Sequence, residues 1–130
     1  MRRILIIDDE DDIREVAALS LEATAGWEVL TANSGAAGIR AATTSEPQPD
    51  AILMDVMMPG MDGLEATRRI RTDPRFASLP IIAITAKAMK DDQEQTRVAG
   101  MTDYLAKPID LDRLYSLLRV WLPSLERMRG

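Results

Sequence analysis

Histidine and cysteine are both absent from this sequence of 130 residues. Without histidine, the chain has no imidazole base, no imidazole metal ligand and no residue that can become a phosphohistidine. Without cysteine, it has no disulfide and no thiolate metal site, which suits a protein of the reducing cytosol. Any chemistry in this chain therefore depends on carboxylates, hydroxyls, amines and backbone groups.

The chain also lacks an excess of basic charge and any long apolar run. Its net charge of −5 gives no support for nucleic-acid contact, which usually requires a basic face. No apolar run is long enough to cross a membrane, and the N-terminus leads straight into an apolar stretch too short for a signal peptide. A composition of 46% hydrophobic and 28% charged residues is ordinary for a globular domain. We expect one cytoplasmic domain without membrane or nucleic-acid contacts.

What the sequence does contain is a regular alternation of short apolar runs and helical patterns. The apolar runs cover residues 4–7, 27–32, 51–54, 81–84 and 102–106. The helical patterns cover 11–25, the stretch from a Ser34 cap to about 44, about 62–72, 91–99, and the stretch from 110 onward. Five strands alternating with five helices predict an α/β fold, in which a parallel sheet has helices on both faces.

Proline should limit the last of these helices. Pro123 lacks the N–H that a helix interior uses, so it should end or kink the helix there. We therefore expect the domain to cover residues 1–122, and residues 123–130 to form a short C-terminal tail or the stub of a linker.

Polar residues follow four of the apolar runs, where the strands should end. Asp8 and Asp9 follow the first run, Asp55 follows 51–54, Thr85 follows 81–84, and Lys107 follows 102–106. Ligands of open α/β sheets bind at the carboxyl ends of the strands, so these side chains should meet in one cleft. Three carboxylates, a hydroxyl and an ammonium there predict a cation site beside a phosphate site.

The acidic residues also have simpler explanations. Carboxylates near a helix start interact favourably with the helix dipole, which accounts for residues 10–12 but poorly for Asp8 and Asp9, directly at the strand end. Asp55 could cap a turn. However, a carboxylate at the end of a buried strand needs a cation or a hydrogen-bond donor. Oxygen ligands without histidine or cysteine favour Mg²⁺, or Mn²⁺, over Zn²⁺.

Lys107 and Thr85 carry the expectation of a phosphate site. Alone, a lysine at a strand end is usually a solvated surface charge, and a threonine is an ordinary strand residue. Beside the acids, the Lys107 ammonium can balance a carboxylate and bind a phosphoryl oxygen, and the Thr85 hydroxyl is a candidate donor to it.

Four segments in order resemble the receiver domain of two-component response regulators. They are Ile-Leu-Ile-Ile-Asp-Asp-Glu at 4–10, Met-Asp-Val-Met-Met-Pro-Gly-Met-Asp-Gly at 54–63, Ile-Ala-Ile-Thr-Ala at 82–86 and Asp-Tyr-Leu-Ala-Lys-Pro-Ile at 103–109. The resemblance covers residues 2 to about 122 and is to single-domain, chemotaxis-type members. It implies a flavodoxin-like (βα)5 sandwich with five parallel strands ordered 2-1-3-4-5.

The resemblance also implies a role for each acidic residue. Asp55 would be the phosphoacceptor, taking a phosphoryl group from a phosphohistidine of a partner or from a small phosphodonor. Asp9 and Asp55 would ligate Mg²⁺, with Asp8 acting mainly through water and the backbone carbonyl of Met57 as a further ligand. The protein would be no enzyme on other substrates, since it catalyses only its own phosphorylation and slow autodephosphorylation.

The remaining site residues would respond to the phosphoryl group. Thr85 and Lys107 would bind its oxygens, and Tyr104 would be the aromatic switch residue. Met57 and Lys87 stand at positions that tune the lifetime of the phosphorylated state in this family. The output would be a changed surface on the fourth helix, fifth strand and fifth helix.

The resemblance implies partners as well. The phosphodonor would be a sensor histidine kinase or a histidine phosphotransfer protein, docking on the outer side of the first helix near Arg14, Ala18 and Leu19. The downstream protein target is not indicated by the sequence. A weak homodimer would form through the output surface.

Three alternatives stay open at this point. The chain could be a receiver module cut from a larger hybrid kinase or multidomain regulator. It could be a phosphatase with an aspartyl-phosphate intermediate, although the general acid expected two residues after the nucleophile is replaced by Met57. It could also be a pseudo-receiver that only binds partners, although the acids, Thr85 and Lys107 are all present.

Overall fold

The structure is a computed structural model that describes residues 2–86 and 90–129, with the backbone alone described at 90–92 and 123–129. Its strands are β1 (Arg3–Ile7), β2 (Glu28–Ala32), β3 (Ala51–Asp55), β4 (Ile81–Thr85) and β5 (Asp103–Ala106). Its helices are α1 (Asp11–Ala25), α2 (Gly35–Thr44), α3 (Gly63–Arg71), α4 (Lys90–Val98) and α5 (Leu111–Arg129), and a short 3-10 turn covers Pro74–Phe76. Within this part of the chain, no helix is both long and apolar enough to cross a membrane.

The five strands form one parallel sheet in the order β2-β1-β3-β4-β5. This order and the strict alternation with helices confirm the expected flavodoxin-like α/β fold. The pairing places Ile7 of β1 beside Met54 of β3, and Asp55 beside Ile84 of β4. The residues after these positions therefore emerge at a single edge of the sheet.

Alternation along the buried strands divides the core into two layers. Leu5, Ile7, Ile52 and Met54 point to the side covered by α2 and α3. The opposite layer, which packs against α1 and α5, contains the following residues: Ile4, Ile6, Leu53, Ile82 and Ile84. Because helices cover both faces, the central strands consist of apolar residues throughout, up to the polar residues that end them.

The helix ends follow local sequence signals. Gly26 ends α1 in the left-handed region at φ 69° and donates its N–H to the Glu22 carbonyl. Ser34 and Asp62 cap α2 and α3 through side-chain oxygens that accept from Ala37 N and Glu65 N. As a result, the predicted boundaries agree with the structure to within one residue everywhere except at Pro123.

The helix end predicted at Pro123 is wrong, because α5 continues through this residue to Arg129. A proline removes one N–H donor, and a helix can continue past it when the turns on either side keep their hydrogen bonds. The alternative of a kink at Pro123 stays a prediction, as does the domain boundary between residues 122 and 123.

Arg71 ties the end of α3 to the starts of β4 and β5. Its Nε donates to the Gly100 carbonyl at 2.9 Å and its Nη1 to the Phe76 carbonyl at 2.7 Å. Its Nη2 lies 3.4 Å from the Thr102 hydroxyl oxygen, which also accepts from Ile81 N. Burial lowers the pKa of this guanidinium. Its hydrogen bonds to carbonyls compensate for the burial of its charge.

Replacing Arg71 with methionine should lower the free energy of unfolding by about 2–3 kcal/mol, because two carbonyls lose charged donors. Urea denaturation measures the change. Arg68→Met is the control: Arg68 is exposed and meets only Glu65 at 3.5 Å among its described contacts, so its loss should cost about 0.5 kcal/mol or less. Equal losses in the two variants would contradict the role given to Arg71.

Candidate functional site

Three carboxylates converge at the carboxyl edge of the sheet. Asp8 and Asp9 directly follow β1, and Asp55 is the last residue of the adjacent strand β3. One oxygen of each lies within 4.8 Å of an oxygen of the other two. The structure therefore brings together the three acids that the sequence places at strand ends.

Two of these carboxylates are buried and incompletely bonded. Asp8 is 0% exposed and Asp55 is 1% exposed. Oδ1 of Asp8 accepts from Glu10 N at 2.9 Å, and Oδ1 of Asp55 accepts from Met57 N at 3.3 Å. The second oxygen, Oδ2, of each residue is buried without a hydrogen-bond partner in the described part of the chain. Such oxygens carry a free-energy cost unless a ligand satisfies them.

The pKa of Asp55 reflects this environment. Burial, followed by the nearby charge of Asp8, raises the pKa of Asp55 to about 7, and the Asp9 carboxyl contributes in the same direction. The Lys107 charge and the Met57 N–H act in the opposite direction. Near neutral pH, the Asp55 carboxyl is thus divided between its protonated and charged forms.

Lys107 brings a cation to the same cluster from the end of β5. Its Nζ lies 3.0 Å from Oε1 of Glu10, 3.5 Å from Oδ1 of Asp55 and 3.7 Å from Oδ2 of Asp8. Burial alone would lower the pKa of Lys107, but the hydrogen bond to Glu10 and the surrounding carboxylates raise it above its ordinary value. The ammonium therefore remains charged and within reach of the acids.

The donor set fits a hard divalent cation. The three carboxylates converge, two buried oxygens lack a partner within the described residues, and the ammonium balances part of the negative charge. Carboxylate and carbonyl oxygens are the ligands preferred by Mg²⁺ and Mn²⁺.

Thr85 and Met57 line a cleft of about 350 Å³ together with Val56, the residue after Asp55. Thr85 ends β4 and is buried, and its carbonyl accepts from Lys107 N at 2.7 Å. Met57 is 71% exposed, so its side chain does not belong to the core. Thr85 thus lies on the strand next to β3, and Met57 lies two residues after Asp55; the roles given to both residues stay predictions.

Tyr104 lies on β5, on the side of the sheet that faces α4. It is half-buried, packs against the core and lines a cleft of about 360 Å³ together with Thr96 and Arg97 of α4. Lys87, the other residue predicted to tune the lifetime, lies outside the described residues.

One contact of the site was not predicted. We explained Glu10 by the dipole of α1, whereas its carboxylate binds Lys107, 97 residues further along the chain. No local pattern distinguishes Glu10 from its acidic neighbours. The one signal in the sequence was that Glu10 follows Asp8 and Asp9 after the end of β1, close to the cleft.

The family model for the response regulator receiver domain matches residues 4–119. Among curated proteins, Protein PilH of Pseudomonas aeruginosa is 35% identical over 94% of this chain and 98% of its own length. Other relatives are longer. This chain is 37% identical to one of them and 39% identical to another, and it spans 52% of the length of each.

Solved structures agree with the fold. The chemotaxis protein CheY4 of Vibrio cholerae superposes with a TM-score of 0.88 at 30% identity, covering 94% of this chain and 99% of that one. The receiver domain of sensor histidine kinase PA1611 from Pseudomonas aeruginosa has a TM-score of 0.84 at 37% identity, covering 94% and 98%. That structure holds a magnesium ion coordinated in its active-site cleft.

Proposed function

Because the chain belongs to the response regulator receiver domain family of two-component signalling, we propose that Asp55 accepts a phosphoryl group from a phosphohistidine of a partner protein. The observation that carries this proposal is the state of the Asp55 carboxylate. It is buried at the end of β3, one oxygen lacks a partner in the described residues, and an ammonium lies 3.5 Å from the other.

In the transfer step, an oxygen of Asp55 attacks the phosphorus and forms an acyl phosphate. The phosphorus–nitrogen bond of the donor breaks, and its electron pair stays on the imidazole nitrogen, which takes a proton from solvent. Lys107 binds a phosphoryl oxygen as the negative charge on Asp55 grows. The Thr85 hydroxyl donates to a second oxygen. The donor histidine belongs to another protein, because this chain has none.

A divalent cation, Mg²⁺ or Mn²⁺, would be held by Asp9 and Asp55, by Asp8 through water, and by the backbone carbonyl of Met57. When bound, it supplies positive charge that keeps the carboxylates ionised and stabilises the transferring phosphoryl group. The Oδ2 atoms of Asp8 and Asp55, which are buried without a hydrogen-bond partner among the described residues, support this assignment.

The switch follows from the position of Thr85 between Asp55 and the outer strand. Movement of Thr85 toward the phosphoryl group vacates space near Tyr104, whose ring turns inward. The surface formed by α4, β5 and α5 changes as a result, and binds a downstream protein or a second copy of the chain. The protein thus acts as a switch in the cytoplasm and catalyses only its own phosphorylation and dephosphorylation.

The partner kinase or phosphotransfer protein would dock beside the site, on the outer side of α1. Val16 and Leu19 are exposed apolar side chains there, and Arg14 and Ala18 line a neighbouring depression. Apolar contacts on α1 would bring the donor imidazole over Asp55.

A small acyl phosphate and Mg²⁺ should add one phosphoryl group to each chain, as measured by intact-protein mass spectrometry. Hydroxylamine cleaves acyl phosphates and leaves a hydroxamate, so peptide mapping should then find the modification on Asp55. Chelation of the cation should prevent it. A stable phosphoester, or a modification of any other residue, would refute the proposal.

Met57→Asn should accelerate hydrolysis of the aspartyl phosphate several-fold. Attack of water on phosphorus returns the Asp55 carboxylate and inorganic phosphate. The exposed Met57 side chain excludes this water, whereas an amide binds it. Loss of phosphorylated protein after donor removal gives the rate, with Met57→Leu as the apolar control. Identical lifetimes for the two variants would contradict this role.

The same site would serve equally as a receiver module of a longer hybrid kinase or multidomain regulator. The observation in favour is that the chain spans only 52% of two of its curated relatives. The sequence of the complete gene decides between the two arrangements.

A further inference from the structure

Glu10 contacts both an acidic residue after β1 and the lysine after β5. Its backbone N–H donates to Oδ1 of Asp8 at 2.9 Å, and its side-chain Oε1 accepts from Nζ of Lys107 at 3.0 Å. It therefore contacts both a buried acid after β1 and the cation after β5.

The Lys107 ammonium is closest to the most exposed of its three acidic neighbours. The Glu10 side chain is 57% exposed, whereas Asp55 and Asp8 are buried. Among the described residues, the hydrogen bond of the ammonium is to Glu10, at 3.0 Å, and its ion pairs with Asp55 and Asp8 are longer, at 3.5 and 3.7 Å.

Electrostatic attraction alone would bring the ammonium closer to the buried acids than to Glu10. Charges interact more strongly in a buried environment than at a solvated surface. The buried Oδ2 atoms of Asp8 and Asp55 also lack hydrogen-bond partners among the described residues. Because the ammonium makes its shortest contact with the solvated carboxylate instead, Glu10 keeps it from closer contact with the buried pair.

We propose that Glu10 is a positioning residue that keeps Lys107 from closer contact with Asp8 and Asp55 until a phosphoryl group arrives. This inference rests on the proposed function and adds a second step to it. While Lys107 is held, the buried carboxylates keep their charge available for a cation. When the phosphoryl group is transferred, Lys107 exchanges the Glu10 carboxylate for a phosphoryl oxygen.

Glu10→Gln should weaken Mg²⁺ binding but accelerate phosphorylation at saturating Mg²⁺. A glutamine oxygen is a weaker acceptor for the ammonium, so Lys107 moves onto the buried carboxylates and competes with the cation. We expect Mg²⁺ to bind about threefold to fivefold more weakly, the scale of a single partly exposed ion pair. At saturating Mg²⁺ the cation displaces Lys107 from the buried carboxylates. Phosphorylation by a small acyl phosphate should then be faster by a similar factor, because the ammonium has only a neutral amide to leave.

Asp12→Asn is the matched control. Asp12 is exposed, lies two residues further along the same acidic stretch, and loses the same charge. Isothermal calorimetry with Mg²⁺ and no phosphodonor should show less than a twofold change for this variant. A Glu10→Gln substitution in a Lys107→Met background should likewise fall to the size of the Asp12 effect, because no ammonium remains to be released.

The outcomes separate the inference from the proposed function. Equal Mg²⁺ affinities in Glu10→Gln and Asp12→Asn, or a Glu10 effect that persists without Lys107, would overturn the positioning role and leave phosphorylation of Asp55 untouched. Weaker Mg²⁺ binding confined to Glu10→Gln, in a wild-type protein that takes up no phosphoryl group, would support the positioning role and overturn the proposed function.

Discussion

Replacing Asp55 with asparagine is expected to abolish phosphorylation and, at pH 8 without divalent cations, to increase the free energy of unfolding by about 2 kcal/mol. The phosphoryl acceptor is lost because an amide oxygen is a poor nucleophile. Stability rises because the substitution removes a buried charge that lies beside Asp8, and that Lys107 at 3.5 Å only partly compensates.

The stability gain should depend on pH. Burial and the neighbouring Asp8 charge raise the pKa of Asp55 from 3.8 to about 7 in the folded protein. The carboxyl is neutral in both states below pH 3.8, so folding carries no charge penalty there. The penalty grows as pH rises through the interval from 3.8 to 7 and is complete above 7.

The size of the gain follows from that interval. Each pKa unit is worth about 1.4 kcal/mol, so the full difference is about 4 kcal/mol. Because the cleft opens to water, which screens the charge of Asp55, we expect about half of this value at pH 8 and less than 1 kcal/mol at pH 5. Urea denaturation at the two pH values measures the difference. A gain that is equal at both would contradict this origin.

Asp50→Asn provides the control for burial alone. Asp50 is as buried as Asp55, but its Oδ2 accepts from Arg3 N at 2.8 Å, far from the cleft. Its replacement should cost about 1 kcal/mol, as expected for weakening a buried hydrogen bond. Added Mg²⁺ should stabilise the wild type and the Asp50 variant but not the Asp55 variant, because only a ligand that binds the folded state stabilises it.

The contrast between Asp50 and Asp55 shows which part of the site could be predicted from the sequence. Asp55 follows an apolar run, and residues at strand ends of a parallel sheet must meet at one edge. The convergence of Asp8, Asp9 and Asp55 could therefore be predicted from the order of runs alone. Asp50 precedes the same strand and lies at the opposite edge, so position relative to the strand separates the two.

Contacts that depend on side-chain reach could not be predicted in this way. Glu10 and Arg71 both bond to groups far along the chain, and neither stands in a pattern that differs from ordinary surface charge. The continuation of α5 through Pro123 depends on the balance between one lost N–H and the neighbouring turns, which local sequence does not determine. The strand ends were predictable because the apolar runs mark them, and the strand order because the motifs resemble the receiver domain.

Gly63 shows a requirement of the site that concerns the backbone alone. It is the first residue of α3, and its N–H donates to the Val56 carbonyl at 2.9 Å. The Thr67 hydroxyl donates to the Gly63 carbonyl at 2.7 Å. The first turn of α3 is thereby packed directly on the chain segment that leaves Asp55.

Gly63→Ala is expected to lower the free energy of unfolding by about 3 kcal/mol or more and to weaken Mg²⁺ binding. A Cβ at this position would lie 2.1 Å from the Asp55 carbonyl oxygen and 2.9 Å from Val56 Cα. These are backbone atoms of β3 and the residue after it, so α3 and the Asp55 segment must separate, which overpacks the core and displaces the carboxylate.

Gly60→Ala distinguishes this steric effect from the general cost of losing a glycine. Gly60 has a φ of 75°, and a Cβ there would meet no atom within 4 Å. The substitution should therefore cost only the strain of a left-handed residue, about 1–2 kcal/mol, and leave Mg²⁺ affinity unchanged. Chemical denaturation and calorimetry on the two variants test both points. A Gly63→Ala protein as stable as Gly60→Ala would show that α3 can move away from Asp55 freely, and would contradict a rigid support of the phosphoacceptor by this helix.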